Sequence, residues 1–445
     1  MKKPDGDSRP SGPRKKADSL TSDRQGRLSH DVESTVRVQS GTGLPACPSL
    51  FPQPARALVL CPEAPYPMTG GGAIRTASLV EYLAPRYALD VVVFREPGAP
   101  DPRGAFPPGL AHAVDVIDLP YHSKRFLARA TRNGMRLARG RPPLVDRFGG
   151  FAGPLRSILR GRDYDLALIE HFWCAAYGEQ IAASAQRVVL DLHNIESVFY
   201  RTLADAKNWP ASFVLNRFSR ACSRRERRSL ASFSTVLVTS HEDAAILGRA
   251  LPGLNAHVYP NALPPAPTPC VAERNAIVFS GNLEYQPNVV AVRYFRLDIW
   301  PALRARFPSL VWRITGKNPA GIAKYAAGDD RIEVTGPVRD AVAELAAARV
   351  IVVPVLAGSG TRFKILEAWA AGRAVVSTTL GAAGLGGVDG EHLILGDSPH
   401  AFVDAVSRLL ESPDERTRLG CAGRQLFESR FTWPRAWKGL EDIGM

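Results

Sequence analysis

The chain has 445 residues, 45% of them hydrophobic and 22% charged, with a formal net charge of +13. It is long enough for two sizeable cores and has the composition of an ordinary globular protein. No apolar run reaches the roughly 18 residues of a membrane span, no hydrophobic stretch of signal-peptide kind follows the basic N-terminus, and the six cysteines include no Cys-x-x-Cys pair, so structural zinc and a disulfide framework are disfavoured and a cytoplasmic location is expected.

Residues 1–55, rich in Ser, Pro, Gly, Asp, Lys and Arg, read as a disordered tail. Order is expected from Arg56. Ala57 to Cys61 reads as a first strand, followed by the glycine-rich PEAPYPMTGGG (Pro62 to Gly72), a helix over Ala73 to Leu83 and a strand over Leu89 to Phe94. Further strand-like runs fall at Leu166 to Ile169, Val188 to Leu192, Thr235 to Val238 and His257 to Tyr259. Strands alternating with helices imply a parallel sheet covered on both faces. The proline-rich ALPPAPTP (Ala262 to Pro269) reads as a stiff linker and the boundary of the first domain, 56–265. The alternation restarts with strands over Ala276 to Phe279, Val311 to Thr315, Ile332 to Val334, Val350 to Val355 and Ala374 to Ser377. They define a second α/β domain, 272–430, followed by a terminal helix within 431–445.

The charge is concentrated. Lys124 to Arg147 holds eight cations against Asp146, and Arg217 to Arg228 six arginines against Glu226. Arg125, Arg129, Arg132, Arg136 and Arg139 recur at helical spacing, as do Arg217, Arg220, Arg224 and Arg227. These stripes are either solvated helix faces or surfaces for an acidic partner, with anionic lipid headgroups favoured. A nucleic-acid partner is disfavoured, because no recognised module or aromatic interleaving accompanies the arginines.

Ligands of open α/β sheets bind beyond the carboxyl ends of the strands, and there the polar residues gather: Gly70 to Gly72, Glu170 and His171, His193, Gly281 and Asn282, Gly316 and Lys317. The most informative segment is GSGTRFKILE, Gly358 to Glu367, joining an apolar run to a helix. Its small residues let backbone amides approach a diphosphate, the helix N-terminus and the Arg362 and Lys364 cations add positive charge, and Glu367 is placed to accept ribose hydroxyls. The alternative is a tight turn with a Thr361 cap and a solvated glutamate. His193, in LDLHNIE, is a candidate for polar chemistry or a satisfied residue that only supports its neighbours. Asp163 and Asp165 precede their strand, at the wrong end for a metal site.

GSGTRFKILEAWAAGRAVVSTTLGAAGL (Gly358 to Leu385) closely resembles the donor-site region of family 4 glycosyltransferases of the GT-B fold, in which two Rossmann-like domains face each other across a cleft. SGNLEYQPN (Ser280 to Asn288), PYPMTGGGAIRT and LDLHNIES resemble further loops of a bacterial exopolysaccharide-type branch. The resemblance implies a hexosyltransferase that moves a sugar from a nucleotide-sugar, as substrate rather than cofactor, to a glycan or lipid-linked acceptor, with retention and without metal. It implies that Glu367 holds the ribose, that the amides of Thr361, Arg362 and Phe363 hold the diphosphate with Gly71, Gly72, Gly281, Gly358, Ser359 and Gly360 around the donor, and that His193 lies near the reacting sugar. Arg362 and Lys364 are then the charges facing the leaving group. Two features depart from the family: Ser359 replaces the first of two glutamates, and Asn282 with Gln286 to Asn288 replaces the usual cations of the Ser280 loop. These leave a non-catalytic nucleotide-sugar-binding or scaffold protein as the rival reading.

Overall fold

The computed structural model describes residues 54–123 and 125–445. Nearly all of the expected N-terminal tail, Cys47 and Lys124 of the first basic segment lie outside these residues. Seven strands form one sheet: β1 (Arg56–Cys61), β2 (Ala88–Arg95), β3 (Ala113–Asp118), β4 (Tyr164–Glu170), β5 (Ala185–Asp191), β6 (Thr235–Val238) and β7 (Ala256–Val258). Their order is β3-β2-β1-β4-β5-β6-β7. Six more, β8 (Ala276–Ser280), β9 (Val311–Thr315), β10 (Ile332–Gly336), β11 (Val350–Val353), β12 (Val375–Ser377) and β13 (Ile394–Leu395), form a second sheet in the order β10-β9-β8-β11-β12-β13. All of these pairings are parallel. Two Rossmann-like α/β sheets result.

The strands carry near-continuous apolar runs because helices cover both faces. Leu58, Leu60 and Val92 of the first sheet pack with Phe148, Leu155 and Ile181 on one side, while Val59, Cys61 and Val91 pack with Leu79, Val80 and Tyr82 on the other. The second core is built around Trp300, Trp312 and Trp369, all fully buried.

Sequence pattern missed two edge strands. β3, AVDVID, alternates apolar and acidic residues because its outer face is half covered, and β13 has only two residues. The terminal helix Trp433–Glu441 packs against the first sheet, not the second: Trp433, Ala436, Leu440 and Met445 join the cluster of Leu79 and Tyr82, and the Tyr82 hydroxyl donates to the Met445 carbonyl at 2.6 Å. The chain thus returns to its first domain, giving the two halves a second covalent connection.

The first arginine stripe is not a uniform solvent face. The helix Phe126–Arg139 buries Arg136, which pairs with Asp146 at 2.8 Å, and turns the Arg132 guanidinium onto the Ser123 carbonyl at 3.1 Å. Phe126 and Leu127 are instead exposed, at 73% and 77%. The cause is packing of the helix's C-terminal half, through half-buried Leu137, onto the cluster of Tyr200, Phe218 and Cys222, to which the helix Ala211–Ser229 contributes. On that second helix Arg217, Arg220, Arg224 and Arg227 are exposed. Among the described residues no helix is long and apolar enough to cross a membrane.

Candidate donor and acceptor cleft

In each sheet the strand order reverses beside the first strand, β1 against β4 and β8 against β11, and such switch points open a crevice at the strands' carboxyl ends. Gly70 lies in the loop after β1 with Gly71 and Gly72 opening the helix that follows, and Glu170 ends β4 with His171 just beyond it; the loops after β8 and β11 carry Gly281 and the GSGT segment. The two groups of loops meet. Ser359 Oγ donates to the Ile195 carbonyl at 3.1 Å, the Gly358 amide donates to Thr202 Oγ1 at 2.9 Å, the Thr361 amide donates to Thr239 Oγ1 at 3.3 Å, and Asn261 Nδ2 donates to the Thr361 carbonyl at 3.1 Å. Gly360 has φ +73°, and a Cβ there would lie 2.5 Å from the His193 carbonyl. A Cβ on Gly71, at the start of the helix Gly71–Leu83, would collide with the Phe363 ring, so this glycine sets the approach of the two halves, while Gly72 lies against the Glu63 carboxylate.

Arg362 stands as N-cap of the helix Phe363–Ala370, and no side chain caps that helix. Its N-terminal amides and partial positive charge are therefore open to an anion. The Arg362 Nη1 donates to the Ser359 carbonyl at 2.6 Å, but its buried Nε has no partner. Burial depresses the Arg362 pKa, partly offset by the charges of Tyr285 and Asp243. Lys364 Nζ donates to Asn288 Oδ1 at 2.8 Å and lies 4.9 Å from the centre of the Phe279 ring. Burial, reinforced by Arg362 and opposed by Glu367, pushes its pKa down to about 7. Burial pushes Glu367 up to about 7, against Lys364 and a 3.5 Å hydrogen bond from Ser280 Oγ. Among the described residues neither Arg362 nor Lys364 has a carboxylate within 4.0 Å.

Across the cleft, His193 Nε2 lies 2.6 Å from Glu170 Oε2 and 3.2 Å from Asp191 Oδ2. Asp191 is also held by Arg75 through bonds of 2.6 and 2.7 Å, and Arg75 reaches on to the Tyr259 carbonyl and Asn261. Burial alone would lower the His193 pKa, but the hydrogen bonds and charges of Asp191 and Glu170 raise it to about 9. His193 is thus an imidazolium at neutral pH, suited to donate a hydrogen bond or face negative charge rather than to act as a base. His171, stacked on it with ring centres 3.5 Å apart, is held neutral by burial and by that neighbouring charge. Glu170, Asp191 and His193 also have the spacing of a metal cluster. The bidentate Arg75 already neutralises Asp191, which disfavours a cation there.

The sequence-derived residues thus fall on both walls of one cleft. Reading by strand ends missed Arg75, Asp191, Thr202 and Thr239, whose partners are remote in sequence; of the departure at Asn282 and Gln286 to Asn288, Asn288 holds Lys364 and donates to the Asn282 carbonyl at 2.8 Å. Lys317, from the loop after β9, also reaches the seam: its Nζ lies 3.6 Å from where a Gly70 Cβ would stand.

Residues 274–412 match the family model described as glycosyl transferases group 1. A curated relative, an uncharacterized 44.6 kDa protein in the cps region of Klebsiella pneumoniae, is 21% identical over 375 residues, covering 79% of this chain and 90% of that protein. Among solved structures, sucrose-phosphate synthase from Thermosynechococcus elongatus superposes with a TM-score of 0.67 at 17% identity, over 87% of this chain and 98% of the other. TarM of S. aureus, in complex with fondaparinux, alpha-GlcNAc-glycerol and UDP, gives 0.62 at 10% identity over 87% and 99%. Anabaena HepE, in complex with UDP and glucose, gives 0.58 at 15% identity over 87% and 98%. The chain is thus a protein of GT-B fold whose residues 274–412 match the group 1 glycosyl transferases.

Proposed function

We propose that the protein is a retaining, metal-independent hexosyltransferase of family 4 type that moves a sugar from a nucleoside-diphosphate sugar to a glycan or lipid-linked acceptor in cell-surface polysaccharide or glycolipid synthesis. The observation carrying this reading is the buried Arg362 Nε without an acceptor, beside an uncapped helix N-terminus and a second cation, Lys364, that also lacks a carboxylate. A buried cation left this incompletely paired is costly unless an anion completes it, and a diphosphate has the charge and shape to do so. The UDP in the TarM and HepE structures and the cps-region relative support the donor class and the pathway.

In this mechanism Glu367 accepts the ribose hydroxyls, and Arg362, Lys364 and the helix amides hold the diphosphate. Charge grows on that diphosphate as the glycosidic bond breaks, so preorganised cations lower the barrier. The His193 imidazolium, fixed by two carboxylates, faces the sugar from the opposite wall. The exposed arginine face of Ala211–Ser229, with Phe126 and Leu127, would attach the enzyme to the cytoplasmic face of an anionic membrane.

The test is transfer or hydrolysis of a panel of nucleotide-sugars by the purified protein, with and without chelator. Turnover that survives the chelator and falls sharply in His193→Ala, with donor affinity kept, is the expected result. Donor binding without turnover on any acceptor would favour the scaffold reading, to which Ser359, whose hydroxyl donates to the Ile195 carbonyl, would then belong.

A further inference from the structure

A second cationic site lies outside the donor cations. A cavity of about 330 Å³ opens between the end of the Phe126–Arg139 helix, the Ala211–Ser229 helix and the short helix Phe172–Tyr177 that follows β4. Arg139, Arg224, Arg225 and Arg228 line it together with Phe172 and Trp173. None of these four arginines has a carboxylate within 4.0 Å among the described residues. The acid of that helix, Glu226, is turned away: it accepts from the Ser197 amide at 2.9 Å and the Ser197 hydroxyl at 2.5 Å. Four guanidinium groups with no acid among them focus a positive potential into one concavity.

The cavity is coupled to the cleft by stacked rings. Trp173 in its wall stacks on His171, with ring centres 4.1 Å apart and planes 6° from parallel, and His171 stacks on His193. The Trp173 indole also donates to Glu196 at 2.9 Å, which fixes the ring. Trp173, in the cavity wall beside the arginines, thus stands two ring spacings from the imidazolium, on the wall opposite Arg362 and Lys364. We propose that this cavity is the acceptor's anion subsite, holding a phosphate or diphosphate that the acceptor carries while the acceptor's reacting hydroxyl extends toward His193. Guanidinium forks match phosphate oxygens bidentately, and the volume is that of a small-ligand site. The inference rests on reading the cleft as a transferase site.

The test uses inorganic pyrophosphate, titrated calorimetrically into the full chain with UDP saturating, so that the donor cations are occupied. Wild type is expected to bind, Arg224→Glu/Arg228→Glu to bind at least about tenfold more weakly, and Arg224→Lys/Arg228→Lys to stay closer to wild type, with UDP affinity equal in all three. Equal pyrophosphate binding in wild type and the glutamate variant, or none in wild type while UDP still binds, would overturn the subsite. Failure of UDP itself to bind would strike the donor reading instead, and the same titration without UDP would still decide the cavity. Phosphatidylcholine vesicles with and without phosphatidic acid identify the source. Release of bound protein from phosphatidic acid vesicles by pyrophosphate assigns a membrane-borne phosphate, and pyrophosphate binding with no vesicle binding assigns a soluble one.

Discussion

Lys364 and Glu367 lie three residues apart on one helix, and desolvation drives the lysine down and the carboxyl up until both titrate at about 7. A nucleoside-diphosphate sugar has no group of its own that titrates near neutrality, so protons exchanged when it binds come from the protein. Its phosphates favour the charged lysine and raise that pKa; binding then takes up about 0.9 proton at about pH 8 but only about 0.1 at about pH 6. Ribose hydroxyls favour the carboxylate and lower the Glu367 pKa; binding then releases about 0.9 proton at about pH 6 and about 0.1 at about pH 8. The net exchange should reverse sign, from release of about 0.8 proton at the lower pH to uptake of about 0.8 at the higher, crossing zero near the shared pKa. Calorimetry in buffers of different ionisation enthalpy measures this directly. Glu367→Gln should erase the release and leave the uptake, and Lys364→Met the converse. Exchange near zero at both pH values, or unchanged in these variants, would refute the placement of both side chains on the donor.

Glu367→Ala should weaken donor binding by roughly 1–3 kcal/mol through lost charge-assisted hydrogen bonds, and equal affinity in equilibrium dialysis would remove it from the donor site. The His193 pKa is raised from its ordinary 6.5 to about 9, so its stabilising effect should be complete below about pH 6.5 and lost as pH rises through about 9. In Glu170→Gln the titration of the His193 Cε1 proton by NMR should move down by about one unit, and an unmoved midpoint would show that Glu170 does not hold the charge. Trp433→Ala should destabilise the protein by about 3–5 kcal/mol in urea denaturation, because it empties the seat of the terminal helix in the first domain; a loss under about 1 kcal/mol would show that the helix is not anchored there.

The sequence by itself determined the fold class and the glycine-rich turn after β11, because both are local signals. Apolar runs such as ALVLC and VIVV cannot face water on either side, and a glycine-rich turn between such a strand and a helix exposes backbone amides whatever surrounds it. The strand ends beyond which Gly70, His193 and Gly281 fall followed from the same alternation. What the pattern could not give was anything that depends on contacts remote in the chain. Whether an arginine helix faces solvent is settled by its neighbours: Arg136 is buried where it pairs with Asp146, and Phe126 is exposed because no described residue covers it. The terminal helix belongs to the first domain because its tryptophans fit beside Tyr82, more than 350 residues earlier in the chain. The charge on His193 follows from two carboxylates on separate strands, Glu170 and Asp191, whereas among the described residues Arg362 and Lys364 have no carboxylate within 4.0 Å. Hydrophobic periodicity is written within single elements and survives without the fold, whereas protonation, pairing and burial are sums over neighbours that only the packed chain brings together.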